Sequence, residues 1–158
     1  MERIAIFPGS FDPFTIGHEY IVRRALALFD RIVIAVGTNT NKEDFFPTEK
    51  RVQWIREVFE YDEKVSVYSY NGLTIEFCKE MNAKFILRGL RTSADFEYER
   101  AIAQVNNAMD PQIESVFILT APEYSAVTST LVRDIIRHGG DASKFLPESR
   151  TLKNLRIH

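Results

Sequence analysis

Residues 8–18, PGSFDPFTIGH, carry the side-chain types of an anion cradle. Gly9 and Gly17 let the backbone come close to a ligand, and Ser10 adds a hydroxyl among neighbouring amides. His18 falls in the first turn of the helix that follows, where free amides and the positive dipole end favour an anion. An imidazole there can donate to a phosphate oxygen. Arg88 and Arg91 flank Gly89-Leu90 at the end of an apolar run. Guanidinium suits bidentate phosphate recognition, and an unpaired buried charge is costly, so each arginine needs an anion. The acidic run Asp95, Glu97, Glu99 offers the competing explanation, ion pairing inside the chain. Thr128-Ser129-Thr130 places hydroxyls and amides at a helix start, and taken alone is a good N-cap. Lys42, taken alone, is a solvated lysine in a polar loop. The chain lacks GxxxxGK[ST] and GxGxxG, so neither of those phosphate-binding mechanisms transfers. It shows no Cys/His cluster of zinc spacing and no GxSxG elbow. His138 reads as a helix C-terminal residue, Cys78 as core, and Trp54 as core or subunit contact.

These segments need a scaffold that gathers them. Five short apolar runs, 3–7, 31–37, 65–68, 84–87 and 115–119, read as strands. Four are nearly continuous in aliphatic and aromatic residues, as strands covered on both faces are, whereas Val65-Ser66-Val67 alternates and predicts an edge. Between them lie helical stripes: Ile21, Ala25, Leu28, Phe29; then Val52, Ile55, Val58, Phe59 behind Thr48 as N-cap; then Ile75, Cys78, Met81. A fourth helix is expected over 95–108 and a fifth from about Ser129 to a C-cap at Gly139-Gly140, with Pro147 opening a short terminal one. The alternation predicts an α/β fold, a doubly wound five-stranded parallel sheet with helices on both faces, in one domain over 1–158. Such sheets bind ligands beyond the carboxyl ends of their strands, and every polar segment above follows a strand. The loop 38–47 is the longest irregular segment.

Composition narrows the class further. The 158 residues carry a net charge of −2, so there is no basic footprint of a nucleic-acid binder. No apolar run approaches the roughly 18 residues of a membrane span, and the N-terminus has no secretory h-region. A single cysteine, Cys78, fits a reducing, cytoplasmic setting.

Taken together the segments are specific. The chain resembles the bacterial phosphopantetheine adenylyltransferases, of the nucleotidyltransferase superfamily marked by a T/HxGH motif. That motif reads Thr15-Ile16-Gly17-His18. The family pattern GxFDPxTxGH matches Gly9 to His18; RGLR and DFEYE appear as Arg88-Gly89-Leu90-Arg91 and Asp95-Phe96-Glu97-Tyr98-Glu99. The pattern (S/T)S(S/T)xxR appears as Thr128-Ser129-Thr130-Leu131-Val132-Arg133. The departures are Ile16, where Asn is frequent, Tyr124, where some relatives carry Trp, and Thr74.

The resemblance implies reversible adenylyl transfer from ATP to 4′-phosphopantetheine, giving dephospho-CoA and pyrophosphate, a step of coenzyme A synthesis. It implies a catalytic set of His18, Lys42 and Arg91, with His18 stabilising the transition state at the α-phosphate. Ser10, Lys42, Thr74 and Arg88 would bind the acceptor. Ser10, Phe11, His18, Gly89, Leu90, Arg91 and Glu99 would meet ATP. So would Tyr124, Ser125, Ala126, Val127, Thr128, Ser129 and Thr130. It implies Mg²⁺ entering with ATP, no separate protein metal site, a homohexamer, and coenzyme A as feedback inhibitor. Two alternatives stay open at this point. One is a TxGH enzyme acting on nicotinate mononucleotide or, with CTP, on a polyol phosphate. The other is a nucleotide-binding module without turnover.

Overall fold

In the computed structural model, which describes residues 1–38, 43–149 and 151–152, the apolar runs pair into one parallel sheet. The strands are β1 (Ile4–Gly9), β2 (Arg31–Gly37), β3 (Val65–Tyr70), β4 (Phe85–Leu90) and β5 (Glu114–Leu119), in the order β3-β2-β1-β4-β5. They alternate with α1 (Ile16–Ala25), α2 (Thr48–Val58), α3 (Thr74–Glu80), α4 (Ser93–Met109) and α5 (Ser129–Arg137). This is the doubly wound architecture that the alternation predicts.

Side-chain alternation divides the core into two layers. Ala5 and Phe7 of β1, with Ile32, Ile34 and Val36 of β2, pack against α1, α2 and α5. Ile4 and Ile6, with Val33 and Ala35, face α3 on the other side. Residues 32–36 are enclosed from both sides, each at 0% exposure, which is why that strand is an unbroken apolar run. The alternating β3 is an edge, as its pattern predicts, but β5, whose apolar run predicts cover on both faces, is the other edge and is only partly buried.

Several boundaries differ from the sequence reading. β4 runs on to Leu90, because Arg88, Gly89 and Leu90 continue the ladder to Phe117, Ile118 and Leu119. Polar and glycine residues inside a strand masked that continuation. Helix α1 starts at Ile16, with Thr15 as its cap, and α4 starts at Ser93. Thr48 is the first residue of α2 rather than its cap; its hydroxyl accepts from Arg51 Nη2 at 2.9 Å. Trp54 is 6% exposed, against Phe46 at a centroid distance of 5.0 Å, so it belongs to the chain's own core. Helix α5 ends at Arg137, where amides of Gly139 and Gly140 close on the carbonyls of Ile136 and Ile135. Pro147 opens no helix among the described residues.

Strand order reverses between β1 and β4, and the loops at their carboxyl ends open a crevice there.

Candidate active site

Beyond Gly9 the chain turns from β1 into α1 through residues 10–15. Phe11 makes the turn at φ 48°, in the left-handed region that a non-glycine residue enters at a cost of about 1–2 kcal/mol. Its ring is buried beside Phe7, Phe14 and His18, at centroid distances of 5.2, 5.3 and 5.0 Å. Gly9 makes room for it: a Cβ at that position would lie 2.7 Å from the ring.

Side chains from three other elements hold the carbonyls of this turn and of the strand end before it. Arg88 donates to Pro8 O and Arg51 to Ser10 O. Arg133 Nη1 donates to Asp12 O and Ser129 Oγ to Pro13 O, both at 2.8 Å. The Asp12 carboxylate in turn accepts the amides of Phe45 and Phe46 at 2.7 and 2.9 Å. The sequence reading missed Arg51 as a partner of this loop. Its signal was present: Arg51 precedes Ile55 by four and Val58 by seven, so it stands on the apolar stripe of α2.

His18 is oriented by its own helix start. The Thr15 N–H donates to His18 Nδ1 at 2.9 Å, and the His18 N–H donates to Thr15 Oγ1 at 3.4 Å, a reciprocal cap. A ring nitrogen that accepts an N–H carries no proton, so the neutral ring holds its proton on Nε2. Burial, then the charges of Arg88 and Arg91, push the His18 pKa down to about 3. The imidazole is therefore neutral at physiological pH, with an Nε2–H donor at its other pole.

The two arginines meet the acidic run. Arg88 forms a fork on Glu99, Nε and Nη2 donating to the two carboxylate oxygens at 2.9 and 2.7 Å. Glu99 is 9% exposed on its side chain, so this pair is largely shielded from water. Arg91 binds the Asp95 carboxylate through its backbone N–H at 3.0 Å and through Nε at 3.1 Å. Both the intrachain pairing and the position at the crevice are thus present together.

Two cavities adjoin here. One, of about 300 Å³, is lined by Phe11, Gly17, His18, Gly89, Arg91, Tyr124, Val127, Thr128 and Ser129 among others. The other, of about 660 Å³, is lined by Thr38, Tyr70, Gly72, Thr74, Ile102 and Asn106 among others. Pro8, Gly9, Ser10, Arg88 and Glu99 line both, so the ends of β1 and β4 form the wall where they meet. Thr74 starts α3 with its hydroxyl 3.0 Å from Tyr70 Oη. Leu90, Ser125, Ala126 and Thr130 are not among the lining residues; Ser125 Oγ bonds Pro122 O and Thr130 Oγ1 accepts from Arg133. The buried hydroxyl of Thr120, beside the smaller cavity, has no partner among the described residues. Lys42 lies outside the described residues.

A parallel sheet whose reversal point carries a neutral histidine donor, helix-start amides and two arginines is built to receive the phosphates of a ligand, and the similarity to known proteins gives the class, a nucleotidyltransferase. Residues 6–135 match the cytidylyltransferase-like family model. Over 96% of its length the chain is 52% identical to a phosphopantetheine adenylyltransferase of Flavobacterium psychrophilum, covering 99% of that protein. It is 49% identical to the one of Phocaeicola vulgatus, over 92% of this chain and 96% of that protein. The chain belongs to the phosphopantetheine adenylyltransferase family. The fold is shared more widely. A bifunctional NMN adenylyltransferase/ADP ribose pyrophosphatase from Francisella tularensis superposes at a TM-score of 0.72, with 17% identity, over 98% of this chain. The present chain spans 48% of that longer protein.

Proposed function

We propose that this chain joins ATP and 4′-phosphopantetheine into dephospho-CoA and pyrophosphate, with ATP in the smaller cavity and the acceptor in the larger. The observation that carries this assignment is the shared wall: Ser10 and Arg88 line both cavities, so two phosphates can be brought together beside His18. An oxygen of the acceptor phosphate attacks the α-phosphorus in line. The bond from that phosphorus to the bridging oxygen of the β-phosphate breaks, and pyrophosphate leaves with the electron pair. A phosphate dianion is already a nucleophile, so no protein base is required. Catalysis is positioning plus stabilisation of the α-phosphate oxygens by preorganised donors. His18 Nε2–H is one such donor; Arg91 and the amides of Ser10 and Phe11 supply others. Lys42 and Arg88 hold the acceptor phosphate, and Thr74 touches the pantetheine arm. Mg²⁺ arrives as part of the Mg-ATP substrate. Among the described residues no cluster of three or more histidine, cysteine or acidic side chains is placed to hold a metal ion.

The decisive assay is pyrophosphate release from ATP with three acceptors: phosphopantetheine, nicotinate mononucleotide and glycerol phosphate. Turnover with the first alone supports the assignment. Equal or better turnover with another acceptor overturns it, and so does nucleotide binding without turnover. Coenzyme A, which carries the same phosphopantetheine arm, is expected to compete for the larger cavity, and the setting is cytoplasmic. No helix of the described residues is long and apolar enough to cross a membrane.

Gly17 gives a test of the smaller cavity. A Cβ there would meet the chain only at ordinary distances, 3.5 Å to Thr15 Oγ1 and 3.8 Å to Val127 O. Packing does not demand glycine, and its absent Cβ leaves room in the cavity. Gly17→Ala is expected to melt as the parent does, yet to raise KM for ATP by about 10-fold or more, the scale of one excess methyl in a fitted pocket. An unchanged KM would return Gly17 to a helix-start role.

Assembly into a hexamer rests on a second feature. On α4 the exposed residues Tyr98, Ile102, Val105 and Met109 recur at helical spacing, and Leu119 on the edge strand β5 is 72% exposed. Light scattering is expected to give a mass near six times the 18.2 kDa chain. Val105→Asp, which charges the stripe, is expected to lower that mass. A parent chain that stays monomeric and fully active would remove the hexamer.

A further inference from the structure

Arg51 is 1% exposed on its side chain and is absent from the lining of both cavities. Its guanidinium is occupied on every side. Nε donates to Phe46 O and Nη2 to Thr48 Oγ1, both at 2.9 Å; the Asp44 carboxylate stands 3.1 Å from Nη2 and that of Asp12 4.0 Å from Nε. Nη1 donates to the carbonyl of Ser10. A leucine at this stripe position would pack without the desolvation penalty that a buried cation carries. A leucine would make none of these polar contacts, and among the partners only Ser10 lines the two cavities.

The contact to Ser10 fixes the orientation of a peptide. The Ser10–Phe11 bond is trans, so the Phe11 N–H points opposite to the Ser10 carbonyl, away from Arg51. Ser10 and Phe11 line the smaller cavity, and among the described residues the Phe11 N–H has no acceptor. The competing arrangement is one peptide flip away. Half a turn of this unit changes ψ of Ser10 and φ of Phe11 together, and takes Phe11 from φ 48° into the negative region that an L residue prefers. The flip relieves backbone strain. It also replaces an N–H donor by a carbonyl oxygen, which repels a phosphate.

We propose that Arg51 is a positioning residue: by holding the Ser10 carbonyl it keeps the Phe11 N–H aimed at the phosphates of the bound nucleotide, against a strain that favours the flip. The inference rests on the adenylyl-transfer reading of the smaller cavity. Arg51→Lys keeps the charge but replaces a planar fork by a single ammonium, which cannot serve Ser10, Phe46 and Thr48 in their present directions.

The test uses the full chain. Parent and Arg51→Lys are compared in steady-state turnover of ATP and phosphopantetheine, per folded site, well below both melting temperatures. The variant is expected to lose at least about 10-fold in kcat, within the range that misplacing one preorganised group produces, with KM for phosphopantetheine unchanged. In ¹H–¹⁵N spectra the Phe11 amide is expected to move downfield on adding Mg-ATP in the parent and not in the variant. A variant that merely melts earlier, with parental kcat and the parental Phe11 response, overturns the proposal. Should Arg51→Lys fail to fold, the parent decides alone: a Phe11 amide indifferent to Mg-ATP overturns it, and a shifted one supports it. A parent chain with no ATP-dependent pyrophosphate release instead defeats the underlying reading.

Discussion

His18→Ala is expected to turn over about 10²–10³-fold more slowly than the parent while still binding ATP, because it removes a donor that matters most as charge redistributes on the α-phosphate. The prediction needs a control, since His18 does two jobs. Its Nδ1 accepts the Thr15 N–H and closes the start of α1, and its ring packs against Phe11 and Phe14. Losing that cap costs stability by about 0.5–2 kcal/mol, so alanine is expected to lower Tm as well as kcat. Asparagine separates the two. Its Oδ1 can stand where Nδ1 stands and accept from Thr15, but its side chain ends short of Nε2. His18→Asn is therefore expected to recover much of the Tm and none of the kcat. Recovery of both together would make His18 a capping residue only.

The protonation state sharpens this. With its pKa at about 3 in the folded chain against 6.5 for a free histidine, His18 is neutral throughout the working range. The kcat profile of the parent is expected to show no inflection from His18 near pH 6.5, and heteronuclear spectra should show the Nε2–H tautomer there. The stability consequence has a definite sign. The folded state binds fewer protons than the unfolded one at this site, so the contribution is fully present above pH 6.5. It is lost as pH falls toward 3. The alanine variant is expected to lose less stability than the parent over that interval.

The fold was legible because parallel strands covered on both faces leave an unmistakable apolar signature, as residues 32–36 do. The candidate cavities were legible for a related reason. Every chemical segment followed a strand, and a parallel sheet brings all carboxyl ends to one rim. What stayed hidden was the choice of partner. The acidic run 95–99 was legible as a set of partners for Arg88 and Arg91, but nothing local says that Arg88 takes Glu99, eleven residues on, while Arg91 takes Asp95, or that Arg51 will reach Ser10 across 41 positions. Those contacts depend on how α2 and α4 lie over the sheet. The tautomer of His18 was hidden too, because it follows from one backbone N–H arriving at Nδ1. The sequence did mark the places where such partners were owed, namely charged residues at the end of an apolar strand and on an apolar helix stripe.

The Arg88–Glu99 pair makes the second large prediction, because it ties substrate binding to stability. Arg88 has five N–H donors. Two go to Glu99 and one to Pro8 O, which leaves donors for an incoming phosphate at the wall between the cavities. Arg88→Ala removes those donors, and KM for phosphopantetheine is expected to rise by about 10- to 100-fold, the scale of a hydrogen bond to a charged group. The same change strands Glu99, whose side chain is 9% exposed. Breaking a buried pair on one side costs about 3–5 kcal/mol, so Tm is expected to fall sharply. Adding Glu99→Gln to Arg88→Ala removes the stranded charge. The double variant is expected to regain much of the lost Tm while KM stays high. Thermal melts and acceptor-dependent kinetics on the parent and the two variants read the two quantities separately. If the double variant regained acceptor affinity along with stability, the single variant's defect would be one of folding, and Arg88 would be a structural partner of Glu99 without a part in holding the phosphate.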